Sequence, residues 1–183
     1  MAEEFVGLCF RGDLEGVQAA LQSGRNVNST DDRGVTGLMV ALWGRHTAVT
    51  RLLLEQEGID INICDNVDGR SALHCAAVYA ENSECLAILL ARPELTSQMV
   101  NKKDMYGETP LWLAVCGGAA DCVQVLLNDN RTDPNIKDED GISPLMFAIK
   151  NNDVECAALL LPDPRVDLMT REAYERSEEE VKR

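Results

Sequence analysis

Histidine and cysteine are the side chains of this sequence best suited to metal binding or nucleophilic attack. Their spacing supports neither. There are two histidines, His46 and His74, and seven cysteines. His74-Cys75 sets two potential ligands side by side, yet no paired Cys or His spacing completes a zinc site. A thiol nucleophile needs an adjacent base. Cys116 is the best placed for such a role, since its position near the end of a short helix leaves it partly exposed, but a bystander cysteine is the simpler reading. None of the 13 glycines belongs to a phosphate-cradling G-x-x-x-x-G-K-[ST] string. The carboxylates are scattered through turn segments, as in solvated loops. Neither a metal nor a cofactor is expected, and an enzyme reading has nothing to rest on.

The elements that would position any site are set by a repeat. Thr36-Gly37-Leu38, Ser71-Ala72-Leu73, Thr109-Pro110-Leu111 and Ser143-Pro144-Leu145 each begin two residues after a glycine (Gly34, Gly69, Gly107, Gly141). The four leucines are 35, 38 and 34 residues apart, and each is followed three positions later by alanine (Ala41, Ala76, Ala114, Ala148). A period near 33 marks small stacked units that cannot bury a core alone.

One unit shows the physics. Asp104 to Glu108 reads as a turn, with Gly107 supplying a positive φ. Thr109 offers a hydroxyl to the free amides of a helix start, and Pro110 sits where a missing N–H costs nothing. Leu111, Ala114 and Val115 form an apolar stripe, and Gly117-Gly118 ends the helix. A second helix buries Cys122, Val125, Leu126 and Leu127, and an extended return leads to the next turn at Asp138 to Gly141. Cys122 and Cys156 hold the register that Val49 holds in the second unit, and Cys85 does so after a one-residue insertion. They read as small buried apolar residues in a reducing compartment.

These residues resemble the ankyrin repeat. The family's D-x-x-G-x-T-P-L-H-x-A-A opening is visible in GVTGLMVAL, GRSALHCAA, GETPLWLAV and GISPLMFAI, and its closing in Asp60-Ile61-Asn62, Asp133-Pro134-Asn135 and Val166-Asp167-Leu168. The resemblance covers residues 4–168. It implies an all-α solenoid of helix-turn-helix units with β-hairpin-like finger loops. Five units are expected, at 4–31, 32–65, 66–103, 104–137 and 138–168, and the first acts as a cap. Residues 169–183, charged and rich in glutamate, are either a capping helix or a frayed tail. Met39, Trp112 and Met146 replace the family's usual histidine, which only His74 retains, so apolar packing is expected there. Residues 92–100 carry extra length and are expected to form an exposed loop.

The family's contact surface joins the finger tips to exposed positions on each unit's first helix. Carried over, this selects Arg33, Val35, Arg70, Met105, Tyr106, Glu108, Asp140 and Ile142 at the tips, with Trp43, Val78, Tyr79 and Lys150 on the helices. Aromatics are only 4% of the chain, so the coincidence of Trp43, Tyr79 and Tyr106 on this strip points to binding. Trp112 reads as structural. The family also implies asparagine hydroxylation at Asn62 and Asn135, which would make the chain a regulatory substrate.

A formal charge of −14 disfavours nucleic acid and anionic membranes and suits a basic protein or peptide. The acidic N-terminus is no secretory signal and no segment is apolar enough to span a bilayer. The expectation is a non-catalytic intracellular interaction module, of scaffold or inhibitor type, in the cytoplasm with the nucleus left open. An enzyme or small-molecule sensor on the same solenoid is the less favoured alternative.

Overall fold

The computed structural model describes residues 2–167. Leu168 and the charged 169–183 segment, with its cap-or-tail alternatives, lie outside the described residues. Among the described residues eleven α-helices follow one another: α1 (Ala2–Arg11), α2 (Leu14–Gln22), α3 (Gly37–Trp43), α4 (Thr47–Leu54), α5 (Ala72–Ala77), α6 (Ser83–Leu90), α7 (Ser97–Val100), α8 (Pro110–Cys116), α9 (Ala120–Leu127), α10 (Pro144–Lys150) and α11 (Val154–Leu160). Helices this short are unstable in isolation and persist through packing. An inner row runs α1, α3, α5, α8, α10, each helix against the next. An outer row runs α2, α4, α6, α9, α11, and each inner helix also packs on its outer mate. The chain is an all-α solenoid.

Side-chain size explains the close stacking. Ala41, Ala76, Ala114 and Ala148 are fully buried between inner helices, where Leu38, Leu73, Leu111 and Leu145 form the apolar spine. Val49, Cys85, Cys122 and Cys156 are buried equivalents in the outer row. Burial pushes the Cys122 and Cys156 thiols up to about 12, so they behave as apolar groups. In α9 it is Val123, not Val125, that joins Cys122, Leu126 and Leu127 in the core. At Gly117 any side chain would collide with the α5 end, because a Cβ there would lie 2.3 Å from the Val78 carbonyl oxygen.

The inner helices begin as their sequences require. The hydroxyls of Thr36, Thr109 and Ser143 accept from the amides of Met39, Trp112 and Met146 at 3.2, 3.2 and 3.3 Å. In the unit that keeps histidine, Ser71 N–H donates to His74 Nδ1 at 3.1 Å. His74 Nε2–H then donates to the Lys102 carbonyl at 2.9 Å, tying the helix start to the return that closes the same unit. Burial lowers the His74 pKa to about 4, so the ring is neutral. The three substitutes differ among themselves. Met39 is buried, and Met146 is 39% exposed. Trp112 keeps a polar tie, its Nε1–H donating to the Ile142 carbonyl at 3.1 Å.

Residues 92–100 depart from the expected exposed loop. Thr96 caps the one-turn helix α7, and Leu95 and Val100 are buried at 4% and 2% exposure. Apolar residues in the insertion pull it onto the core. The one-residue insertion before Cys85 is absorbed by a 3-10 turn, Ala80–Asn82, whose Asn82 amide donates to the Leu42 carbonyl at 3.0 Å.

Candidate functional site

Four fingers project from the inner row, each closed by one backbone hydrogen bond: Asp31 N to Val35 O, Asp65 N to Arg70 O, Asp104 N to Glu108 O and Asp138 N to Ile142 O, at 2.9–3.1 Å. The opening aspartate carboxylate folds over and accepts amides of its own tip, as Asp104 Oδ1 does from Tyr106 and Glu108, both at 2.9 Å. Successive tips are joined through backbone: Asn66 N to Arg33 O at 2.7 Å, Met105 N to Asp68 O at 2.8 Å and Glu139 N to Tyr106 O at 3.1 Å. Gly107, at φ 76°, permits the last of these, since a Cβ there would lie 2.8 Å from Glu139 N. The tips spend their backbone on one another and leave side chains outward. Val67, Met105 and Tyr106 are exposed at 53%, 54% and 48%.

Between the last two fingers and α10 lies a groove of about 380 Å³. Tyr106 and Glu108 form one wall, Asp138 to Asp140 and Ile142 the other, Trp112 and Phe147 the floor, and Lys150 with Asn151 the end. The floor rings meet at 4.7 Å between centroids, tilted by 57°. Beneath the Tyr106 wall, the Arg70 guanidinium is shared by two carboxylates, Nε on Asp104 and NH2 on Glu108, each at 3.0 Å. Burial, with the charge of Asp104, raises the Glu108 carboxyl to about 6 despite Arg70. At the other end of the row, Phe10, Gly7 and Glu3 of α1 face Asp31 to Arg33 across a second groove.

The residues selected from sequence divide accordingly. Tyr106, Glu108, Asp140, Ile142 and Lys150 come together in one groove. Met105 is exposed beside it, and Arg33 lines the first-finger groove, paired with Asp31 at 3.1 Å. Tyr79 is 40% exposed and already carries Arg45, whose guanidinium carbon lies 5.6 Å from the ring centroid. Val35 does not belong to the surface. Its side chain is 2% exposed within the core, because the residue after the finger glycine turns inward toward the helix start. Trp43 and Val78 are half-buried, and Trp43 packs against the core. Arg70 is committed to its two carboxylates. Phe147 and Trp112, which fall at none of the carried-over contact positions, form the groove floor.

The side chains suited to chemistry are occupied structurally. His46 Nε2 bonds the Phe10 carbonyl at 2.9 Å. The exposed Cys116 thiol is pushed up by burial and by Glu108, opposite to nucleophile activation. No group of His, Cys, Asp and Glu able to hold a metal is found among the described residues. No helix among them is long and apolar enough to cross a membrane.

On the return side, polar side chains tie unit to unit. Asn28, Asn101 and Asn135 each donate to a carbonyl of the following return (Gly58, Arg131, Arg165) at 2.7 Å. Each also accepts an amide there, from Asp60, Asp133 and Asp167, at 2.8 Å. The Asn62 carboxamide has no such tie, because α7 remodels the return it would meet. Arg131 donates to the Leu95 and Leu90 carbonyls at 2.8 and 2.5 Å. Arg165 reaches the Leu127 carbonyl at 2.6 Å.

Comparison with known proteins agrees with this architecture. A family model described as ankyrin repeats matches residues 6–99 and 93–172. Among curated proteins, the chain is similar to the probable E3 ubiquitin-protein ligase XBOS32 of Oryza sativa subsp. japonica, 31% identical over 144 residues, covering 64% of this chain and 29% of the relative. Rabankyrin-5 of Mus musculus is 31% identical over 114 residues, 62% of this chain and 9% of the relative. The human transient receptor potential cation channel subfamily A member 1 is 28% identical over 117 residues, 64% and 10% respectively. The chain thus spans less than a third of the length of these relatives. Fold, fingers and family model converge, and the chain belongs to the ankyrin-repeat family.

Proposed function

We propose that the chain is a non-catalytic protein-interaction module, of scaffold or inhibitor type, that holds a partner protein along the finger tips and inner helices. The observation that carries this reading is that four of the eight exposed large apolar side chains among the described residues share one strip. In a chain with 4% aromatics, Tyr79, Met105 and Tyr106 stand with Val67 on that strip. Such residues supply most interface energy. Arg33, Glu108, Asp140, Ile142 and Lys150 form its polar and half-buried surroundings, and the acidic charge favours a basic partner over nucleic acid or an anionic membrane. Seven unpaired thiols favour the cytoplasm. The test is affinity capture with wild type and a Tyr79→Ala, Met105→Ala, Tyr106→Ala variant, followed by calorimetry with each purified captured protein. The variant should keep its melting temperature and bind about tenfold or more weakly. Equal binding of every captured protein would refute the assignment.

A second reading, as a substrate of asparagine hydroxylation, has one observation in its favour. Asn62 lacks the inter-unit tie that engages Asn135, so of the two it is the asparagine whose carboxamide is available. Mass spectrometry of the two peptides from cell-derived protein would show an added oxygen at Asn62 and none at Asn135.

A further inference from the structure

The groove between the last two fingers has the composition of a receptor for a cation. Four carboxylates line it, Glu108, Asp138, Glu139 and Asp140, against the single ammonium of Lys150. The local shortage of positive charge is built in. Arg70 divides one guanidinium between Asp104, whose side chain is fully buried, and Glu108, whose side chain is 17% exposed. The aromatic wall is likewise open. Tyr79 already holds Arg45 of this chain over its ring, whereas among the described residues the half-exposed Tyr106 ring has no cation over it. Phe147, backed by Trp112, gives the groove an apolar floor for a methylene stem.

We propose that this groove receives an arginine side chain of the partner protein, with the guanidinium stacked on Tyr106 and hydrogen-bonded to Glu108 and Asp140. Arginine suits it better than lysine, because a planar guanidinium stacks on a ring while its N–H fork reaches carboxylates on two sides. Burial of the stem against Phe147 and Ile142 removes competing water. This assignment rests on the protein-binding reading above and names the chemistry of one contact within it.

The two tryptophans provide the readout. Trp112 Nε1–H is anchored to the Ile142 carbonyl in the groove, and Trp43 lies two units away. The full chain is titrated with the peptide acetyl-Gly-Arg-Ala-Arg-Gly-amide and with its lysine and citrulline counterparts, following both indole N–H resonances. The arginine peptide should shift Trp112 saturably and leave Trp43 in place. Lysine should bind more weakly and citrulline not at all. Glu108→Gln and Asp140→Asn, at unchanged melting temperature, should each weaken the arginine peptide about fivefold or more. An unmoved Trp112, equal movement of both indoles, equal affinity for lysine, or unchanged affinity in both variants would overturn the proposal. The Glu108→Gln, Asp140→Asn double variant separates the two readings with a captured partner. If it binds as wild type does while the Tyr79, Met105, Tyr106 variant does not, only the arginine groove falls.

Discussion

The finger side and the return side of this solenoid are both rich in polar residues, yet they use them in opposite ways. At the returns, Asn28, Asn101, Asn135, Arg131 and Arg165 are committed to the neighbouring unit. At the fingers the ties between units are mainly backbone to backbone, leaving side chains such as Met105 and Tyr106 outward. One side therefore carries stability in its side chains and the other is free to vary them. Arg70 is an exception on the finger side, as is the Tyr106 hydroxyl, which donates to Asp68 Oδ1 of the preceding finger at 3.3 Å, and it is at Arg70 that the charge is left unbalanced.

This contrast can be broken most severely at His74, the buried group that joins an inner helix start to the return closing its own unit. The unfolded side chain titrates near 6.5 and the folded one at about 4. The neutral ring therefore contributes stability that is complete above pH 6.5 and is lost as pH falls through 4. That loss amounts to ~3 kcal/mol, from the shift in pKa between the two states. Glu108, whose folded carboxyl is raised to about 6, acts in the opposite direction in the same window, since its protonation on folding restores stability as pH falls. Comparing wild type with His74→Leu isolates the histidine. The stability gap between them, measured by urea denaturation, should be largest at pH 7 and shrink steadily to pH 4. A constant gap would mean that the ring is not buried neutral.

A smaller effect sharpens the same comparison. Arg131→Ala removes a charged donor from the Leu90 carbonyl at the α6 end and the Leu95 carbonyl in the turn that follows and should cost about 2–3 kcal/mol, whereas Tyr106→Ala on the finger side should cost less than about 0.5 kcal/mol. Similar losses in thermal denaturation would erase the distinction between the two sides. Smallest is the contrast within the return side. Asn101→Ala should cost about 1–2 kcal/mol through three lost bonds, two of them to the following unit, and Asn62→Ala less than about 0.5 kcal/mol. Equal costs would show that Asn62 is tied as its counterparts are.

Much of the fold was legible because local chemistry repeats in register. Thr109 before Pro110 announces a helix start, and Ala114 three residues after Leu111 announces close stacking. What escaped was set by neighbours rather than by local pattern. Val35 sits at a finger register that is half-buried at Arg70, Glu108 and Ile142, and an apolar side chain there completes the inward turn. Trp43 holds a family contact register five residues after Leu38, yet its large ring closes α3, is half-buried and rests against the core. The Arg92–Val100 insertion looked like loop by its length, while Thr96 ahead of Met99 and Val100 carried the signal of a capped turn with an apolar face. The groove floor of Phe147 and Trp112 arises only when two units meet, which no single repeat displays.

The insertion of α7 reaches beyond its own loop. By withdrawing the asparagine bridge at Asn62, it leaves the seam between the second and third units to other side chains: Asn82 on the Leu42 carbonyl, Arg92 on the Leu54 carbonyl, and the Arg45–Glu81 and Arg51–Glu84 pairs. In a linear array each seam answers only to its two sides. The clasp missing at Asn62 is therefore made up within its own seam, and no other junction of the row has to change to accommodate the extra turn.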